Sequence, residues 1–442
     1  MPEFLNIEVA LSTRSTVVPS QRANRTDCTT PLILPNGRRL RLFYASGPGD
    51  NIGTYRYWKD GCDDPSEPIV PYSHQFYDLC REFNADAYVL SGCSRRDQLH
   101  DGSIFIKHRP YTWRNARGIV FHLAQLFYGV RLIGSVIRFK PDVIVINEGI
   151  HWFLLTILSW MGEQVVPSLH VRFDRPGHCG RFSRILRCAN RYFFRKHCRA
   201  VLVASRDIAE QVKRLTGDSC PRLIEFLPLY RRSTFSAIIP PDRQHCSRPF
   251  RVLFVGRIEV DKGIFDFYKM AKQICQGTVD IEFHVCGNGS VLPELQSQIT
   301  RDDLSGRFHV YGHCDRERLS QIYSQSHVVV VPTRTSLGEG FNQVTAEAVL
   351  AGRPVVTSAV CPAIAYVRPA VVEVAADDVD AYVNGVLKLA LDLDYYRQKQ
   401  RACSNVAAQF YDVNNSWGAK LREAIVDVMA ALPLWRLRRE AT

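Results

Sequence analysis

From Arg39 onward, short continuous apolar runs alternate with longer stretches of helical period. RLRLFYAS reads as a buried strand running into SGPGDNIGTYRYW, where Gly47, Gly49 and Gly53 interrupt any regular element and leave a Gly-rich loop at the strand end. DAYVLS and DVIVIN follow as short parallel strands. Between them Ile119, Leu123, Leu126, Val130, Ile133 and Ile137 recur at the spacing of a crossover helix. VVPSLHV, AVLVAS and LIEFLP continue the alternation, the second followed by a helix carrying Ile208, Val212 and Leu215. One doubly wound unit over residues 38–230 accounts for this half of the chain.

Residues 231–249, with Pro240, Pro241 and Pro249 and no periodicity, read as a linker. A second alternation fills residues 250–405: strands RVLFVG, DIEFHVCG, RFHVYG, HVVVVPT and PVVTS, a helix from Ile264 to Ile274, and a helix NQVTAEAVLA closed by Gly352 ahead of Pro354. Residues 406–442 are helical in pattern and end on the basic LWRLRRE, whereas residues 1–37 are polar without a period and read as a poorly ordered arm. The expected fold class is α/β, with two tandem Rossmann-like doubly wound domains and a cleft between them.

Composition narrows the function classes. At 442 residues, with 46% hydrophobic and 23% charged positions, the chain can build two cores and is neither disordered nor collagenous. Its 14 cysteines stand singly, with no Cys-x-x-Cys pair, and read as reduced thiols of a cytoplasmic protein. The N-terminus lacks the basic and continuous apolar regions of a signal peptide, and the run Ile150–Met161 is too short to span a bilayer. Lys and Arg exceed Asp and Glu by 34 to 22 in residues 1–247 and match them at 22 to 22 in residues 248–442, so the whole +12 excess lies in the first half. That half is expected to meet an anion. Within it, residues 180–200 carry Arg181, Arg184, Arg187, Arg191, Arg195, Lys196 and Arg199 with no acid, a composition suited either to anionic lipid or to a solvated helix face.

The candidate chemistry lies mostly in the second half. PTRTSLGEGFNQVTAEAVLAGRPVV, residues 332–356, places Glu339 in a loop leaving a strand and Glu347 inside the helix that follows. Backbone N–H groups of Gly340, Phe341 and Asn342 at that helix start are expected to seat a phosphate. Glu339 beside a phosphate needs a reason, and hydrogen bonding to sugar hydroxyls supplies one. In VGRIEVDKG, residues 255–263, Arg257 leaves a strand end and Lys262 precedes a helix. Both cations can reach the sheet edge and offset the charge of a departing diphosphate without a metal.

These two segments, in this order and about eighty residues apart, resemble the donor domain of retaining glycosyltransferases of family four, which have the GT-B fold. The resemblance is clear over roughly residues 250–360. It implies that Arg257 and Lys262 hold the donor diphosphate, that Glu339 touches the transferred sugar, and that Glu347 binds the nucleotide ribose. It also implies that Gly53 brings a backbone N–H to the donor phosphate, and that a histidine stands near the reacting carbon. His151, in NEGIHW beside Glu148, is preferred for that place over His170 in LHVRFDRPG. The implied activity is transfer of a sugar from a nucleotide diphosphate sugar to an acceptor hydroxyl with retention, without cofactor or metal, in cell-surface polysaccharide or glycolipid assembly. The charge excess makes the expected acceptor anionic, such as a polyprenyl-diphosphate-linked sugar, with peripheral contact to the inner face of the cell membrane. A sugar phosphorylase or nucleotide-sugar epimerase shares the architecture. A nucleic-acid-binding module lacks the aromatic and basic signatures it needs.

Overall fold

The computed structural model describes residues 37–111, 118–147, 150–172, 181–239, 241 and 249–431. The expected arm up to Asn36, Glu148, the second half of the expected linker and the basic LWRLRRE end lie outside these residues.

The apolar runs form the centre of two sheets. The first joins β1 (Arg41–Ala45), β2 (Asp86–Ser91), β3 (Asp97–Asp101), β4 (Ile104–His108), β5 (Val143–Ile146), β6 (Gln164–Leu169), β7 (Ala200–Val203) and β8 (Arg222–Glu225). Their spatial order is β3-β4-β2-β1-β5-β6-β7-β8, parallel except for β3 against β4. The second holds β9 (Phe250–Val255), β10 (Ile281–Cys286), β11 (Phe308–Gly312), β12 (Val328–Val331), β13 (Val355–Ser358) and β14 (Val371–Val374). Its order is β11-β10-β9-β12-β13-β14, all parallel, which is the doubly wound nucleotide-binding order. Strands such as β5 and β12 are buried along their whole length, as sheets covered on both faces require.

In such sheets ligands bind beyond the carboxyl ends of the strands where the order reverses. The reversals fall between β1 and β5, and between β9 and β12. The segments that follow these four strands carry Gly53, His151, Arg257, Lys262, Glu339 and Gly340, so topology alone brings the candidate residues of each domain to one edge.

Several elements differ from expectation. β3, β4 and β14 go beyond the strands read from apolar runs, and β3 is a polar edge strand. The first stretch of the expected linker is no tether: Phe235 and Ile238 are buried in the second core. The last helix among the described residues, Trp417–Ala430, packs on the first domain, where Trp417, Leu421, Ile425 and Val428 join the core around β1 and β5. Ser416 caps it by accepting from the Ala419 N–H at 3.2 Å. The Trp417 indole donates to Ser168 Oγ at 2.8 Å, and the Gly418 N–H donates to Gln75 Oε1 at 2.7 Å. The chain therefore crosses between the domains twice, and the two crossings are joined where the Leu227 N–H meets Asn415 O and the Tyr230 N–H meets Phe410 O.

The crossover helix Gly118–Phe139 follows the predicted position but not the usual facing. Tyr128, Leu132, Ile133 and Val136 are its buried side. Of the six predicted apolar positions, Ile119, Leu123, Val130 and Ile137 are exposed and only Ile133 is buried.

Candidate active site

In the second domain β9 ends in a tight turn. Gly256 and Gly287 both have φ near +146°, and a Cβ on Gly287 would lie 1.8 Å from Gly256 O, so two strand ends approach as only glycine allows. The turn leads into a short 3-10 segment, Val260–Lys262, and then to Gly263 at φ +75°, where a Cβ would fall 1.9 Å from Pro332 O. This contact presses the Lys262 turn against the loop after β12, and across it Lys262 Nζ donates to Glu339 Oε2 at 2.6 Å. The side chains are 19% and 14% exposed, so the pair is sheltered but still open to the cleft. Arg257 is exposed and contributes to holding the Glu259 carboxyl below its usual value, after the Ser290 hydrogen bonds.

Glu339 Oε2 also accepts from Asn342 Nδ2 at 3.1 Å. Asn342 adopts φ +76°, a left-handed conformation that Asn tolerates, and its Oδ1 accepts from the Thr345 N–H at 3.1 Å to cap the helix Gln343–Leu350. Gly340, Phe341 and Asn342 thus immediately precede the helix. Phe341 is buried against Tyr366 and Phe410 and serves as an anchor for the loop. Glu347 is one turn into the helix and buried. Burial, with a smaller contribution from Glu67, pushes its carboxyl up to about 7.

The two domains meet here. A Cβ on Gly340 would lie 1.9 Å from His170 O, so the donor-side loop touches the end of β6 backbone to backbone. The His170 ring packs edge-on against Tyr72 and near Phe226, and burial pushes it down to about 3. Neutral at ordinary pH, its Nε2 lies in hydrogen-bond contact with Ser168 Oγ at 2.9 Å, while that oxygen accepts the Trp417 indole N–H. His170 is thereby committed to the interface.

His151 is differently placed. It follows β5, caps the 3-10 turn Trp152–Leu155 and is half-buried, with its Nε2 3.2 Å from His122 Nδ1 and the rings stacked at 5.2 Å. Burial, then the His122 charge, lowers its pKa. Asn147, which sequence reasoning passes over, ends the same strand: its Nδ2 donates to Tyr44 Oη at 3.3 Å, and its buried Oδ1 has no partner among the described residues. A polar residue closing the wholly apolar run VIVI was the signal available.

Gly53 departs from the expected role. Its N–H donates to Asp50 Oδ1 at 2.8 Å, and the neighbouring Ile52 N–H donates to His108 Nε2 at 3.2 Å. Both amides at the start of the helix Asn51–Lys59 are spent inside the protein, and Asp50 puts a carboxylate, itself paired with Arg95, where a phosphate was expected. The structure brings Lys262, Glu339 and Asn342 together beside Gly340, keeps Glu347 buried in the helix that follows, leaves Arg257 exposed on the segment after β9, and engages the Gly53 N–H with Asp50.

Residues 238–409 match the family described as glycosyl transferases group 1. Among curated proteins, a 2-deoxystreptamine N-acetyl-D-glucosaminyltransferase of Niallia circulans is 29% identical over 107 residues, covering 24% of this chain and 27% of that protein. A glycogen synthase of Mycobacterium tuberculosis is 23% identical over 53% of this chain and 56% of its own length. The chain thus spans about a quarter of the first of these relatives and about half of the second. Among solved structures, a sucrose-phosphate synthase from Thermosynechococcus elongatus superposes with a TM-score of 0.63 at 14% identity, over 89% of this chain and all of that one. Anabaena HepE in complex with UDP gives 0.61 at 16% identity, over 89% of this chain and all of that one. At these identities the likeness is one of fold. Residues 238–409 are thus similar to glycosyl transferases group 1, and the chain built around them has the GT-B fold.

Proposed function

We propose that the chain transfers a sugar from a nucleotide diphosphate sugar to an acceptor hydroxyl with retention of anomeric configuration. The observation that carries the reading is the Lys262–Glu339 pair, held 2.6 Å apart at the order-reversal edge of a domain similar to glycosyl transferases group 1. One acid there meets sugar hydroxyls and one cation meets a leaving diphosphate. In the reaction the bond from the anomeric carbon to the diphosphate oxygen breaks and the acceptor oxygen bonds that carbon from the same face. The acceptor proton passes to the departing diphosphate, whose charge Lys262 and Arg257 offset. Gly340 and Asn342 border the phosphates and Glu347 takes the ribose. His151 supports the reading as the histidine near the reacting carbon, since His170 is bound to Ser168. Relatives solved with UDP and with UDP-2-fluoro glucose favour a nucleotide-sugar donor.

No metal takes part in this reading, because the two cations serve the diphosphate. The acceptor is anionic and membrane-held, of the polyprenyl-diphosphate-linked kind, and the enzyme works at the cytoplasmic face of the cell membrane in polysaccharide or glycolipid assembly. Arg184, Arg187, Arg191 and Lys196, all exposed on the helix Arg181–Lys196, support that placement. The test is a thermal-shift and transfer screen across UDP-, GDP- and ADP-sugars. A donor at about a hundred times its dissociation constant should stabilise the fold by about 2.7 kcal/mol. Absence of both stabilisation and product with every donor would overturn the reading.

A further inference from the structure

We infer that the outer face of the Gly118–Phe139 helix is an insertion surface for an anionic lipid leaflet, rimmed by the bases of the Arg181–Lys196 helix. This deepens the membrane contact proposed above by naming the element that enters the lipid. The helix is 22 residues long and, by length and composition alone, apolar enough to cross a membrane. It cannot do so in this fold, because it connects β4 to β5 of one sheet and buries Tyr128, Leu132 and Val136 against the core. A helix held to its domain along one side, and apolar on the other, lies in an interface.

The outward side is unusual for a protein surface. Ile119 is 79% exposed, Leu123 51% and Val130 64%, and with Ile137 they fall on one stripe at spacings of four and seven. The patch continues sideways. The Trp152–Leu155 turn packs against both helices, Gly129 sitting so close to it that a Cβ would meet Leu154 at 2.6 Å, and the helix after it, Thr156–Trp160, exposes Ile157 and Trp160. Beyond it Ile185 and Tyr192 are exposed on the basic helix. Contiguous apolar surface of this extent marks an interaction site.

Charge selects the partner. No acid occurs from residue 102 to 141, where seven Lys and Arg stand, nor from 175 to 206, where nine stand. A second copy meeting this face about a two-fold axis would set base against base, whereas an anionic leaflet supplies the opposite charge. Position also fits. A crossover helix runs against its strands, so its first turns lie at the carboxyl edge of the sheet, and the His122–His151 contact fixes them beside the candidate active site. A lipid-linked acceptor would thus reach the cleft along the inserted edge.

The experiment is flotation of the full chain with phosphatidylcholine vesicles containing about 30% phosphatidylglycerol, at about 0.1 M and about 0.5 M salt. The triple variant Ile119→Gln, Leu123→Gln, Val130→Gln should partition about 100-fold more weakly at both salts. Its melting temperature should match the wild type, since the three side chains face solvent. The variant Arg184→Gln, Arg187→Gln, Arg191→Gln should lose binding chiefly at low salt. If the apolar variant binds as the wild type does while the arginine variant does not, adsorption is electrostatic: the insertion surface is refuted and the peripheral contact stands. Failure of the wild type to bind these vesicles, including a wild type that instead forms a dimer which the apolar variant dissociates, refutes both.

Discussion

Glu347→Gln separates stability from function at a single buried carboxyl. An open chain ionises this group at its ordinary 4.5, whereas the folded protein keeps the proton up to about 7 because the side chain is buried. Between those values the folded state binds more protons, so stability falls as pH rises through the window and is fully recovered below it. At about 1.4 kcal/mol per pH unit the loss reaches about 3 kcal/mol above pH 7. Glutamine has the same shape and no titration, so the variant should gain up to that amount at pH 8 and nothing at pH 4.5. For a domain of this size each kcal/mol moves the melting temperature by about 2–4 °C, which predicts curves that diverge by about 6–12 °C at the alkaline end. Scanning calorimetry of both proteins from pH 4.5 to 8.5 is the assay. Parallel curves across the window would refute the burial argument. The same variant should bind the donor more weakly if the carboxylate holds the ribose, so the more stable protein is expected to be the poorer enzyme.

Lys262→Ala and Arg257→Ala should each lower transfer at least about 100-fold, Arg257→Ala with little change in melting temperature because that side chain is exposed and Lys262→Ala with a fall because Glu339 loses its cation; near-normal turnover in either removes it from the leaving-group role. Glu339→Gln should reduce the rate more than donor affinity, the reverse of Glu347→Gln, and equal losses of affinity would show the sugar and ribose roles to be misassigned. Activity should survive EDTA, and a collapse restored by Mg²⁺ or Mn²⁺ would contradict the assignment of the diphosphate to Lys262 and Arg257.

The parts of this fold that burial dictates were legible in the chain. Strands enclosed on both faces must be apolar throughout, so DVIVIN and HVVVVPT declare themselves, and the pattern of strands and helices put Lys262 and Glu339 on neighbouring segments, where the structure pairs them. Facing was harder to read. The stripe from Ile119 to Ile137 marks one side of a helix, but periodicity does not say which way that side points, and Tyr128, Leu132 and Val136 form a second apolar side that takes the core. The β3–β4 hairpin had a signal in Asp101-Gly102, where Gly102 turns at φ +57°, although the polar DQLHD hid the strand before it. The engagement of the Gly53 amide follows a local rule: an Asp three residues ahead of an amide at a helix start is itself the acceptor for that amide. The burial of His170 was not legible in the chain, because the rings that pack against it, Tyr72 and Phe226, are distant in sequence.

The return of the Trp417–Ala430 helix to the first domain sets the order in which this protein can be made. About 200 residues of chain separate β8 from the end of that helix. At about 5–20 residues per second a ribosome needs roughly 10–40 s to cover them. Throughout that interval Tyr44 and Tyr72 lack the indole that packs against them, and Ser168 lacks its donor. The first domain to emerge is therefore the last to close. Residues 37–235 expressed alone would stay in that unfinished state and should draw chaperones, and supplying residues 410–431 as a separate peptide should rescue them.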